Sequence, residues 1–153
     1  MTAKTVTTPY RGLKFSYDGT MLKTHLPSGR HLSYWKPSFT ENQWGHTAIQ
    51  YWGMDQTTKK WTKIKTYGGK LVENIVQAFA RDLLADAMVR LSERGFDIVL
   101  HVHDEVVCEV EDFEEVPLHK LEDMCEIMGE PIEWAKDLPL DAEGFLTEYY
   151  KKD

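Results

Sequence analysis

The sequence predicts an α+β fold of antiparallel β-hairpins with one long helix and one short helix. Three observations carry that expectation. Residues 1–66 alternate apolar and polar positions between turn-forming residues, the period-2 pattern of half-buried strands. Residues 70–94 repeat apolar side chains at helical spacing. Residues 97–110 return to strand character around an acidic pair. A length of 153 residues suits a single domain able to bury a real core. Within it we expect a β-rich part over 1–66 and a second part over 67–153 that holds the long helix and the later hairpin.

The elements follow in chain order. "LKFSYDGTMLKTHL" alternates around Asp18-Gly19, which predicts a two-residue hairpin turn. "SGRHLSYW" reads as a further strand after Pro27-Ser28-Gly29, and "PSFTENQWG" (37–45) as a loop. "HTAIQYWGMDQTTKKWTKI" predicts a second hairpin turning near Gln56 to Lys59. In "GGKLVENIVQAFARDLLADAMVRLSERG", Val72, Ile75, Val76, Phe79, Leu83, Leu84, Ala87, Met88 and Leu91 recur as one apolar face, with Gly69 before the helix and Gly95 as its stop. "DIVLHVHDEVVCEV" then predicts strand–turn–strand with Asp104-Glu105 at the tip. "EDFEEVP" reads as an acidic loop, "LHKLEDMCEIMG" as a short amphipathic helix ending at Gly129, and "LDAEGFLTEYYKK" as a final turn and strand.

Composition narrows the function classes. Hydrophobic content of 42% with 28% charged residues belongs to a soluble globular protein, not a disordered one. There is no run of about 18 apolar residues to span a bilayer. "MTAKTVTTPYRGLKF" lacks the apolar core of a signal peptide, which predicts a cytoplasmic protein. Cys108 and Cys125 then read as reduced thiols. The net charge of −7 is unevenly distributed: residues 1–70 hold 11 Lys/Arg against 3 Asp/Glu, and residues 71–153 hold 7 against 22. The basic half suits phosphates and the acidic half suits cations, although two differently solvated surfaces give the same count.

Two clusters carry candidate chemistry. Lys70, Asn74, Gln77 and Arg81 are spaced by 4, 3 and 4, so they share one helix stripe of hydrogen-bond donors fit for phosphates, sugars or base edges. An ordinary solvated face has the same spacing. Asp104 and Glu105 at a rigid hairpin tip offer hard oxygen ligands to Mg²⁺, Mn²⁺ or Ca²⁺, yet acidic pairs are also frequent in plain turns. His101 and His103, two apart in a strand, would face the same way and could grip Zn²⁺, with no further His or Cys at a recognisable spacing. Phosphate-cradling glycine loops, nucleophile elbows and Cys-x-x-Cys pairs are absent from the sequence.

The order of these parts resembles the C-terminal palm of bacteriophage-type family A DNA polymerases, the family of bacterial DNA polymerase I. "HDE" (103–105) resembles that family's motif C, and "TYGGKLVENIVQAFARD" resembles the helix that precedes it. "LPSGRHLSYW" and "LPLDAEGF" also resemble segments of the phage enzymes, so the likeness runs over roughly 20 to 153 and is strongest over 66 to 110.

The resemblance implies that Asp104 ligates catalytic Mg²⁺ (or Mn²⁺) with Glu105 in support, that His103 lies near the primer terminus, and that Gln77 approaches the duplex minor groove. Asn74, Arg81 and Lys70 remain DNA-binding candidates from the stripe alone. The family's motif A (an Asp followed by Tyr-Ser and a Glu) and its motif B fingers helix do not occur in these residues. Two-metal nucleotidyl transfer draws carboxylates from motifs A and C together. The expectation is therefore a piece of a split polymerase or a prophage remnant, inactive alone, whose partners are primer-template DNA, dNTP and a complementary segment carrying motifs A and B. A non-catalytic DNA-binding or partner-binding remnant, and an unrelated zinc enzyme using His101 and His103, stand as alternatives.

Overall fold

Short polar turns set the pleat of the first sheet. In the computed structural model, which describes residues 4–7, 13–110 and 118–151, six strands run as an antiparallel meander. They are β1 (Lys4–Thr7), β2 (Lys14–Tyr17), β3 (Met21–His25), β4 (His31–Glu41), β5 (Thr47–Met54) and β6 (Trp61–Thr66). A helix α1 (Gly68–Glu93) follows, then a two-stranded hairpin of β7 (Asp97–Val102) and β8 (Glu105–Glu109). Helix α2 (Leu118–Gly129) and a 3-10 turn at Glu133–Ala135 complete the described elements. The architecture is the expected α+β, with antiparallel sheets and two helices. The expected acidic loop at 111–117 lies outside the described residues. Among the described residues, no helix is long and apolar enough to cross a membrane.

The chain divides into two compact units, Met1–Phe79 and Ala80–Asp153. In the first, strand alternation sorts side chains onto two faces. Leu22 pairs with Tyr34, Thr24 with Leu32, and Tyr51 with Ile64, which puts these residues on one face. The middle of that face is buried: Thr24 is 2% and Tyr34 6% exposed, and the Tyr34 and Tyr51 rings meet edge to face. The first turns of α1 close over it. Arg30 Nη2 donates to the Ala78 carbonyl at 2.8 Å, and Asn74 Nδ2 donates to Tyr34 Oη at 3.4 Å.

Three details differ from the sequence expectation, each for a local reason. Residues 37–41 are not loop: β4 continues through a bulge between Trp35 and Ser38, with Lys36 at φ 44° and its N–H on the Thr20 carbonyl. The extra residue accommodates Pro37, which has no donor for the ladder. The β2–β3 connection has three residues, not two, with Gly19 at φ 95° and Asp18 Oδ1 accepting from the amides of Thr20 and Met21. Val72 and Val76, counted in the apolar repeat of α1, remain exposed. Helical spacing marks an apolar stripe but not the width of what covers it.

The second unit has its core on the later turns of α1. Leu84, Ala87 and Leu91 are buried there, as are Ile127 of α2 and Ile132. Gly95 ends α1 as expected: at φ 84° it lets the Phe96 amide reach back to the Leu91 carbonyl. Arg90 ties α1 to the far end of α2. Its Nη1 donates to the Ile127 carbonyl at 2.6 Å and to the Glu130 carbonyl at 3.3 Å, in the last turn of α2 and just past it. Arg94 grips both carboxylate oxygens of Glu130, at 2.9 and 3.0 Å. Residues 140–151 form no strand, contrary to the expectation for "LDAEGFLTEYYKK". Among the described residues the β7–β8 ladder has only two strands, so this stretch gains no ladder partner.

Two predictions follow from this packing. Leu91, with 0% exposure, should cost about 2–5 kcal/mol when cut to Ala, read as a lower denaturation midpoint at unchanged slope. The second concerns Glu130, whose carboxyl is held below its ordinary value of 4.5 chiefly by the hydrogen bond from Arg94 and then by that from Arg90. A carboxyl lowered in the native state contributes stability above pH 4.5 and loses it as pH falls through the native value. Glu130→Gln should therefore melt below the parent protein at neutral pH, and the two melting temperatures should converge on acidification. A gap that stays constant with pH would contradict the assignment.

Candidate functional site

The β7–β8 hairpin begins with a bulge. Ile98 pairs with Cys108 and Leu100 with Val107, so Val99 is an extra residue that breaks the alternation. Beyond it, His101 pairs with Val106 and Val102 with Glu105, which closes the hairpin on a two-residue turn of His103 and Asp104. The tip is therefore one residue earlier than Asp104-Glu105. Glu105 is the first residue of β8 and half-buried, and Tyr150 Oη donates to its Oε2 at 3.4 Å. Sequence reasoning missed Tyr150, whose only signal was an aromatic pair in an irregular tail.

His103 takes φ 52°, the left-handed region that costs a non-glycine residue on the order of 1 kcal/mol and that His, Asn and Asp tolerate better than most. It is thus a turn residue and not the next residue of a strand. This removes the shared strand face expected of His101 and His103. Among the described residues, no three His, Cys, Asp or Glu side chains come together as a metal-holding group, so the histidine pair has no third zinc ligand there.

Asp104 differs from Asp18, Asp55 and Asn42, although Asp137, in the turn after Glu133–Ala135, is likewise exposed and engaged by no hydrogen bond or ion pair among the described residues. Asp18 Oδ1 accepts from two backbone amides, and that pulls its carboxyl below the usual range, Met21 first and Thr20 next. Asp55 Oδ1 accepts from the Thr57 and Thr58 amides and the Thr58 hydroxyl, with the same effect. Asn42 Oδ1 accepts from the amides of Trp44 and His46. Each of these side chains holds its own turn together. The Asp104 carboxylate is exposed, and among the described residues no hydrogen bond or ion pair engages it. Its donors are hard oxygens, as are those of Glu105 beside it, a pairing that fits Mg²⁺ or Mn²⁺ better than a soft metal.

The helix candidates differ among themselves. Lys70 is paired with Glu73, whose hydrogen bond raises the lysine above its ordinary value. Asn74 is half-buried and spends its amide on Tyr34. Gln77 and Arg81 are exposed, one near the end of the first unit and one near the start of the second. Their side chains are open to a ligand. The two cysteines are free, and burial, ahead of nearby carboxylates, pushes both thiols up, which disfavours the reactive thiolate.

No protein-family model and no solved structure matches the chain. Among curated proteins it is similar to a DNA polymerase of Bacillus phage SP02, with 50% identity over 143 residues, or 93% of this chain. Those residues make up 21% of the phage protein, so the chain spans about a fifth of the length of the curated relative it matches.

Proposed function

We propose that this chain is the C-terminal palm portion of a phage-type family A DNA polymerase and acts in template-directed nucleotidyl transfer. In this reading Asp104, supported by Glu105, supplies the motif C half of a divalent-metal site, and a complementary segment carrying motifs A and B supplies the rest. The observation that carries it is the Asp104 carboxylate, left unengaged beside the left-handed backbone of His103, whereas Asp18, Asp55 and Asn42 spend their side chains on their own turns. The similarity to the SP02 phage polymerase along nearly all of the chain supports the same reading.

The roles follow from the chemistry of each group. When bound, Mg²⁺ polarises phosphoryl oxygens and offsets the charge that builds up in transfer. Asp104 holds an anionic oxygen ready for that ion without breaking a turn hydrogen bond, and Glu105 adds a second oxygen held by its strand. His103, exposed at the turn, is its second polar group and is assigned to the primer terminus. Gln77 and Arg81 are assigned to duplex DNA, Gln77 through minor-groove acceptors and Arg81 through phosphate. Lys70 reaches a phosphate by exchanging Glu73 for it, and Asn74 joins only if its bond to Tyr34 is given up.

Two measurements test the assignment. Mixed with a segment carrying motifs A and B, the chain should support Mg²⁺-dependent primer extension, and alone it should incorporate nothing. Asp104→Asn should lower reconstituted extension by several orders of magnitude with little change in melting temperature, because the lost ligand acts in the transition state and an exposed carboxylate adds little to stability. Full extension by that variant would remove the metal assignment. His103→Gly should separate fold from function: glycine relieves the left-handed backbone and stabilises the protein by about 1 kcal/mol. The same variant should extend primers more slowly, and a variant both more stable and fully active would leave His103 with no role at the primer.

A further inference from the structure

The same alternation that buries one face of the six-stranded sheet defines the other face. There Trp35 pairs with Trp52, Trp52 with Lys63, Met54 with Trp61, Gln50 with Lys65, and Ser33 with Lys23. Three indoles thus sit on three adjacent strands, with lysines beside them in the neighbouring pairs. Trp35 is 38% and Trp61 57% exposed. Lysine ammonium groups already sit over two of the rings, Lys63 at 5.8 Å from Trp52 and Lys36 at 5.9 Å from Trp35, so the π-faces are within reach of polar groups. Along β2 to β6 the register puts no Asp or Glu on this side. The carboxylate that feels Lys23 is Asp18, in the turn at the end of the strand.

We propose that this outer sheet face binds single-stranded DNA, with Trp35, Trp52 and Trp61 stacking successive bases and Lys23, Lys63 and Lys65 meeting the backbone phosphates. Exposed tryptophans are costly on a surface that only needs to be wet, and lysines without carboxylates repel one another. A polyanion with bare aromatic faces relieves both conditions at once. A duplex relieves only the second, because its bases are stacked on each other and hide their π-faces. An apolar protein partner relieves only the first, leaving the lysines buried without counter-charge. Stacking and phosphate contacts need no base-specific hydrogen bond, so the surface takes a strand of any sequence, as a template strand requires. The inference uses neither Asp104 nor the stripe on α1.

The test uses the 153-residue chain and an oligothymidylate of about 16 nucleotides, the upper end of the site size of small single-strand-binding β modules. Binding should quench tryptophan fluorescence, and a duplex of equal length should bind without comparable quenching. Trp61→Ala should weaken single-strand binding by about five- to a hundredfold, the range for losing one base–aromatic stack, and Trp61→Phe should restore most of it. Lys63→Gln with Lys65→Gln should lower the slope of log affinity against log salt by about 1.4, about 0.7 for each phosphate contact to a single strand. Absence of binding at low salt would overturn the proposal, as would equal binding of duplex and single strand with no effect of Trp61→Ala. So would binding lost only with Gln77→Ala and Arg81→Ala, which would assign it to the helix. Failed primer extension with intact quenching would strike the polymerase reading alone, and the reverse result would strike this one alone.

Discussion

Strand register is the constraint on which the structure depends most. A slip of one residue in an antiparallel ladder exchanges the two faces of every strand beyond it. In the first unit that exchange would turn Lys23 and Lys63 toward α1 and leave Tyr34 and Thr24 in water. The register is protected where it is most at risk. Pro37 cannot donate to a ladder, and the bulge at Lys36 absorbs it, so that Ser38 resumes on the face that Trp35 left. The hairpin of the second unit uses the same device. The extra residue at Val99 sets the pairing of Val102 with Glu105, and that pairing decides which two residues form the turn. Without the bulge, the register of Ile98 with Cys108 would pair His101 with Glu105 and leave three residues at the tip.

Turn chemistry then divides structure from chemistry. A side-chain oxygen that accepts from amides two and three residues on stabilises a turn, but it is no longer free to bind anything else. Asp18 and Asp55 are committed in this way, and Asn42 likewise through amides two and four residues on. The 103–104 turn is closed by strand pairing alone and has a residue in a left-handed conformation in place of glycine. Its geometry is less favourable than a glycine turn would be, and its carboxylate is free. Local strain with an unspent ligand is the combination on which the role proposed for this turn rests.

Much of this was legible in the sequence. The α+β class, the long helix ending at Gly95, the short helix ending at Gly129 and the hairpin around residue 104 all rest on local signals that tertiary packing did not override. The misses have a common cause. Pro37 suggested a loop because a bulge is decided by the neighbouring strands and not by the proline. "LDAEGFLTEYYKK" has strand-forming residues but no ladder partner. The alternation of His101 and His103 assumed an unbroken strand, and the backbone turns at His103. Spacing put Lys70, Asn74, Gln77 and Arg81 on one stripe, yet it could not tell that Lys70 is tied to Glu73 and Asn74 to Tyr34 while Gln77 and Arg81 stay open. The outer sheet face escaped sequence reading altogether, because its tryptophans and lysines come from four strands and only the register brings them together.

The charge asymmetry of the sequence acquires a mechanism in this arrangement. The excess of positive charge over residues 1–70 is not spread evenly: strand alternation sends lysines outward with the indoles and keeps hydroxyl and apolar groups beneath α1. The acidic excess of residues 71–153 falls partly on groups already neutralised, such as Asp86 and Glu130 with Arg90 and Arg94, and partly on the free carboxylate of the hairpin turn. An ion pair held by two arginines does not attract metal, and a lone exposed carboxylate does so only weakly. Asp104 and Glu105 provide too few oxygens to satisfy a divalent ion without further ligands from elsewhere. Under the proposed function, tight metal binding would therefore follow only from assembly with a segment that supplies the remaining ligands.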